Sequence, residues 1–208
     1  KPMIWSGMGV LLSGAAAELR ELAELTEIPV YTTMPGKSSI DERHPLALGG
    51  GSSATTLAAR QWLQESDVLF AVGSSMTRTR YGQPIPPGKF IIHNVCSPED
   101  INKDFYVDIA LPGDARATLQ AMVYEVKAQL GEGGRKGRTS VAADVSRVRE
   151  KWLETWMSLL TDDQEPINPY RVIWDLHNTI DRARSIVTHD SGSPRDQTIP
   201  FYESVTPR

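Results

Sequence analysis

Asp67-Val-Leu-Phe-Ala-Val-Gly73 decides the fold. Five apolar residues run without a polar interruption and stop at a glycine. A strand exposed on one face alternates apolar with polar; a continuous run marks a strand covered on both faces. Working outward, Met3-Ile-Trp-Ser before Gly7, Ile28-Pro-Val-Tyr-Thr-Thr33, Lys89-Phe-Ile-Ile-His-Asn-Val95 and Val107-Asp-Ile-Ala-Leu111 read as further strands. Between them lie helical patterns. Residues 15–25 carry apolar side chains at Leu19, Leu22 and Leu25 amid Ala and Glu, and 54–64 and 114–130 complete the set. Strand and helix alternating in this way predict a Rossmann-like, doubly wound α/β domain with a mostly parallel sheet over residues 1–130.

Beyond it, the glycine-rich, basic stretch 131–140 reads as a flexible linker. Residues 141–160 read as a helix whose stripe includes Trp152 and Trp156, two large rings that need a covering surface. Residues 131–165 therefore form a linker and helix. From Pro166 the pattern starts again: a helix over 166–176, then Ser185-Ile-Val-Thr-His-Asp-Ser-Gly192 as a strand entering a Gly/Ser turn. Residues 166–208 read as an incomplete C-terminal α/β segment of a larger protein. A strand and helix without their sheet are expected to be mobile or to pack on a neighbouring chain.

Composition narrows the partners. With a net charge of -4 the chain lacks the basic surface that nucleic acid demands. No apolar run approaches the ~20 residues of a membrane span. The single cysteine, Cys96, excludes an intramolecular disulfide and fits a cytoplasmic location. Its apolar flanks predict a packed core thiol.

Three glycine loops are the candidate ligand contacts. Gly7-Met-Gly9 through Gly14 follows a strand and opens a helix, an arrangement that either offers amides to a phosphate or makes a tight turn. Gly49-Gly-Gly51 reads as a second glycine loop before a helix. The loop after Gly73, with Arg78 and Arg80, sits at the carboxyl edge, where such sheets bind ligands. Asp114 after Gly113 either hydrogen-bonds a ribose or caps the helix that follows, and the cap is the reading preferred. The four histidines show no metal-ligand spacing, and His93 reads as a core residue. On the residues alone, an adenine-nucleotide or FAD-binding module and a ligand-free interaction domain both stay open.

Three stretches together resemble one family: residues 10–37, His44-Pro-Leu-Ala-Leu-Gly49, and Pro166-Ile-Asn-Pro-Tyr-Arg-Val-Ile173 with Ile186-Val-Thr-His-Asp-Ser-Gly192. They are similar to thiamine-diphosphate-dependent enzymes of the acetolactate (acetohydroxyacid) synthase type. The resemblance implies a central domain over 1–130 and the truncated start of the diphosphate-binding domain from 166. It implies a parent enzyme, a homo-oligomer acting on a 2-oxo acid with thiamine diphosphate and magnesium, as a lyase or transferase. The pyrimidine-binding domain with its catalytic glutamate, and the magnesium ligands, would lie outside these residues, leaving this piece a non-catalytic scaffold. Matched to the family's cofactor contacts, the chain keeps Gly7, Gly9, Thr33, Gly73, Gly113 and Asp114, and Gly192 and Ser193 stand where thiamine diphosphate would be met. Relatives' Gly-x-Arg-Phe-Asp is here Gly73-Ser-Ser75-Met-Thr77, and their His-Ile-Asp-Ile-Asp is His93-Asn-Val95-Cys-Ser97. Val95 cannot accept from a ribose hydroxyl, so the comparison implies weakened or lost FAD binding.

Overall fold

The computed structural model describes residues 1–135 and 140–207. Six strands form one sheet: β1 (Pro2–Ser6), β2 (Val30–Thr33), β3 (Ala47–Gly51), β4 (Val68–Val72), β5 (Phe90–Val95) and β6 (Ile109–Pro112). Every pairing is parallel, in the order β3-β2-β1-β4-β5-β6. Ile4 lies between Val30 on one side and Phe70 on the other. This order places a topological switch point between β1 and β4, the crevice where doubly wound sheets take ligands.

The helices follow from sequence pattern and caps. They are α1 (Met8–Leu12), α2 (Ala16–Thr26), α3 (Leu57–Glu65), α4 (Ala115–Leu130), α5 (Ser140–Leu160), α6 (Pro169–Thr179) and α7 (Ser193–Phe201). Thr56 caps α3 by accepting from the Ala59 amide at 3.1 Å, and Asn168 caps α6 through Tyr170 at 3.0 Å. Alternation along β1 divides the core. Ile4 joins Leu19, Leu22, Phe70, Leu119 and Val123 under α2 and α4. Met3 and Trp5 face Tyr31, Trp62, Leu63, Leu69 and Val145 under α3 and α5. Each fully buried Leu contributes about 1.5–3 kcal/mol.

Three expectations need correction. Gly49–Gly51 is not a loop but part of β3, an edge strand paired with β2. Cys96 is exposed, just past the end of β5, where the chain leaves the sheet; its Sγ lies 3.4 Å from the Gly113 carbonyl oxygen. The expected strand over 185–190 is irregular, with Ile186 exposed. The segment from 166 onward nevertheless packs on its own chain. Phe201 stacks on Trp152 at 4.9 Å and meets Trp156 edge-on at 5.1 Å, so the tryptophan stripe is covered from within. Ile199, Phe201 and Tyr202 are buried. Most of the basic part of the expected linker, residues 136–139, lies outside the described residues.

Candidate functional site

The switch point is closed by glycines. The Gly7 amide donates to the Val72 carbonyl at 2.9 Å, and the Gly9 amide to the Gly73 carbonyl at 2.8 Å. A Cβ on Gly7 would stand 2.3 Å from the Gly73 oxygen, and one on Gly9 2.7 Å from the Gly73 Cα. Gly73 itself has φ of 59°, a left-handed conformation that favours glycine. The two crossover loops therefore touch backbone to backbone. The Val10 amide donates to Gly7 at 3.2 Å, so the first amides of this five-residue helix are largely engaged within the protein.

Above the carboxyl ends opens a cavity of about 1270 Å³. Its wall includes Trp5, Gly7, Tyr31, Thr33, Ser52 and Met76. The Thr33 hydroxyl accepts from the Gly36 amide at 3.2 Å, capping a short helical turn. Trp5 Nε1 and Ser52 Oγ are buried without a hydrogen-bond partner among the described residues. Burial holds the Tyr31 phenol above its ordinary range. Burial also lowers Lys89, whose Nζ donates to the Ser66 carbonyl and hydroxyl. The 74–89 loop is pinned by Gln83, which donates to the Ser52 and Ser53 carbonyls. Arg78 lines the cavity beside Asp104 and Phe105: its backbone amide donates to Asp104 Oδ2 at 2.7 Å, its guanidinium donates to the Asp104 carbonyl at 3.2 Å and lies over the Phe105 ring. Arg80 is exposed. Trp5, Tyr31, Ser52 and Met76 escape sequence reading because three are apolar or aromatic core residues and the fourth sits in a glycine-serine run. The usable signal was position: Trp5 stands two residues before Gly7 at a strand's carboxyl end.

The remaining candidates lie elsewhere. Asp114 accepts from the Ala117 amide at 2.9 Å and caps α4, while the Gly113 carbonyl accepts from Asn94 Nδ2 at 3.1 Å. Both sit at the end of β6, two strands from Gly73, and neither lines the cavity. Gly192 (φ 79°) precedes α7, and Ser193 borders a separate depression with Trp156 and Tyr170. His93 is fully buried; its Nε2 lies 2.7 Å from the Ser74 carbonyl oxygen, but Nδ1 has no partner among the described residues.

These residues do not fit thiamine diphosphate with its metal. Gly192 and Ser193 are exposed, and no group of three or more His, Cys, Asp or Glu among the described residues converges as a metal site would require. At the flavin contacts, Val95 is buried and the Ser75 hydroxyl is paired with Thr77 at 3.0 Å. No helix among the described residues is long and apolar enough to cross a membrane.

A family model described as "Thiamine pyrophosphate enzyme, central domain" matches residues 1–122. Along its whole length the chain is 32% identical to the probable acetolactate synthase large subunit of Methanococcus aeolicus, covering 36% of that protein. It is also 32% identical to the protein of the same description from Methanocaldococcus jannaschii, covering 35% of it. Over 90% of its length it is 29% identical to the glyoxylate carboligase of Escherichia coli O157:H7, covering 32% of that protein. The chain thus spans about a third of the length of these curated relatives. The six-stranded parallel sheet flanked by helices is consistent with a Rossmann-like domain of that family, and the chain belongs to the thiamine pyrophosphate enzyme family through its central domain.

Proposed function

We propose that residues 1–130 are the central domain of a thiamine-diphosphate-dependent carboligase or decarboxylase acting on a 2-oxo acid, with 131–165 as connector and 166–208 as the start of the diphosphate-binding domain. The observation that carries this is the likeness, along the whole of this chain, to two probable acetolactate synthase large subunits. Thiamine diphosphate, when bound by the rest of the enzyme, would supply the electron sink for decarboxylating a 2-oxo acid. The residues of this chain take no part in that chemistry in this reading. Gly7, Gly9 and Gly73 seal the sheet's upper edge, Thr33 and Asp114 cap helical turns, and the sheet acts as the rigid body between the pyrimidine- and diphosphate-binding domains. Gly192 and Ser193 approach the cofactor only once the second sheet is complete.

Magnesium belongs with the diphosphate-binding domain. FAD is not held, because the chain lacks an acid at Val95 and the glycine-loop amides at Gly7, Gly9 and Val10 are engaged. The working form is a cytoplasmic homo-oligomer. The test is carbon dioxide release from pyruvate by the natural polypeptide that carries this sequence. Release dependent on added thiamine diphosphate and magnesium is expected; none with any 2-oxo acid would overturn the reading.

A further inference from the structure

The segment 199–204 reaches the sheet domain through ionisable groups around a cavity of about 500 Å³. Glu42 is nearly fully buried and takes both oxygens to Lys37 Nζ, at 2.8 and 2.6 Å. Its backbone amide donates to the Ser204 carbonyl at 3.0 Å, and its carboxylate accepts from the Ser204 amide at 2.5 Å. Lys37 also donates to the Ile199 carbonyl at 3.1 Å. One layer away, Glu203 receives Arg149 from α5 at 2.6 Å and Arg182 at 3.0 Å. The Glu203 amide donates to Nδ1 of His177 at 3.4 Å. The imidazole is stacked on Trp174, ring centroids 5.5 Å apart, and faces Tyr202 edge-on at 6.1 Å.

We propose that His177, on α6, is the acid-sensitive catch that fixes residues 199–204 in the position where Glu42 and Lys37 tie them to the sheet domain. The groups facing it come from every packed element: Arg182 beyond α6, Tyr202 and Glu203 beyond α7, Lys37, Glu42 and Arg43 after β2, and Arg149 and Glu150 on α5. Nδ1 can accept from the Glu203 amide only while unprotonated. A proton there removes that acceptor and adds a cation to a cluster in which Arg182, Lys37, Arg149 and Arg43 already outnumber Glu42, Glu150 and Glu203, an excess that the Glu203 carboxylate, 3.9 Å from Nε2, offsets only in part. Burial and the Arg182 charge hold the imidazole below its ordinary value, against the pull of Glu203 and with help from Lys37. A depressed histidine costs the docked state nothing above the free value of about 6.5 and loosens it progressively as pH falls below that.

The test is amide hydrogen exchange of Glu203 and Ser204 in the 208-residue chain, with the His177 imidazole followed by NMR in the same samples. Protection corrected for intrinsic rates is expected to fall as pH drops from about 7.5 to about 5, beginning near the free imidazole value of about 6.5 and levelling off once docked His177 is protonated, by the factor that the two pKa values measured by NMR set. His177→Gln, which keeps an acceptor and cannot take the proton, is expected to hold its protection across that range. Constant wild-type protection, an imidazole that stays neutral throughout, a midpoint unrelated to His177, or an unchanged pH loss in H177Q would each overturn the proposal. The wild-type titration stands as a test even if the variant fails to fold.

Discussion

The Gly9 amide donates to the Gly73 carbonyl at 2.8 Å, joining the first crossover of the sheet to the fourth strand's outgoing loop. That contact turns a sequence feature resembling a phosphate loop into a structural seam. A methyl group at Gly9 would fall 2.7 Å from the Gly73 Cα. Gly9→Ala is therefore expected to destabilise the domain by about 1–3 kcal/mol, since overpacked backbone contacts have no rotamer to relax. Denaturant unfolding would measure it. Stability equal to wild type would mean that the two loops are not held this close.

Asp114 is assigned a capping role, accepting from the Ala117 amide at 2.9 Å. Asp114→Ala is expected to cost about 1 kcal/mol, and Asp114→Asn much less, because Asn caps as well as Asp. Equal losses from both substitutions would point to a role for the charge instead.

Glu42 holds a buried cation and an amide of the C-terminal segment at once. Replacing it by Gln leaves Lys37 without its counter-ion in a largely enclosed place. Removing one partner of a buried pair costs about 3–5 kcal/mol. Glu42→Gln is expected to lower stability on that scale and to expose residues 199–204 to proteolysis. A variant that unfolds like wild type and resists protease equally would remove Glu42 from the docking account.

The flavin contacts give a prediction read by eye and by spectrum. The purified chain is expected to be colourless, and mass spectrometry of what denaturation releases is expected to find no FAD. A flavin absorption band would mean that Val95 and Ser75 do not block the site.

Much of the sheet was legible because the physics is local. Asp67-Val-Leu-Phe-Ala-Val reads as a doubly covered strand and is β4; Leu19, Leu22 and Leu25 announce α2 and its buried face. Gly49-Gly-Gly51 was not legible, since glycine carries no β signal; β2 recruits it through the backbone alone. The Gly7 loop looked equally suited to binding and to turning, and only the position of Gly73, 66 residues on from Gly7, decides where its amides go. The cavity wall was hidden for a related reason: Trp5 and Tyr31 read as core, and their rings do pack at 4.5 Å. The docking of the C-terminal segment rests on pairs such as Glu42 and Ser204, 162 residues apart, which no window of sequence can join. Its strand pattern at 185–190 stays irregular because no neighbouring strand pairs with it among the described residues.

The central claim is that these residues scaffold a cofactor enzyme without holding its cofactor. The most direct measurement is a calorimetric titration of the 208-residue chain with thiamine diphosphate and magnesium, beside the natural polypeptide that carries it. The account predicts no binding heat for the chain and saturable binding for the longer protein. Saturable binding by the 208-residue chain alone, or none by the longer protein, would contradict it.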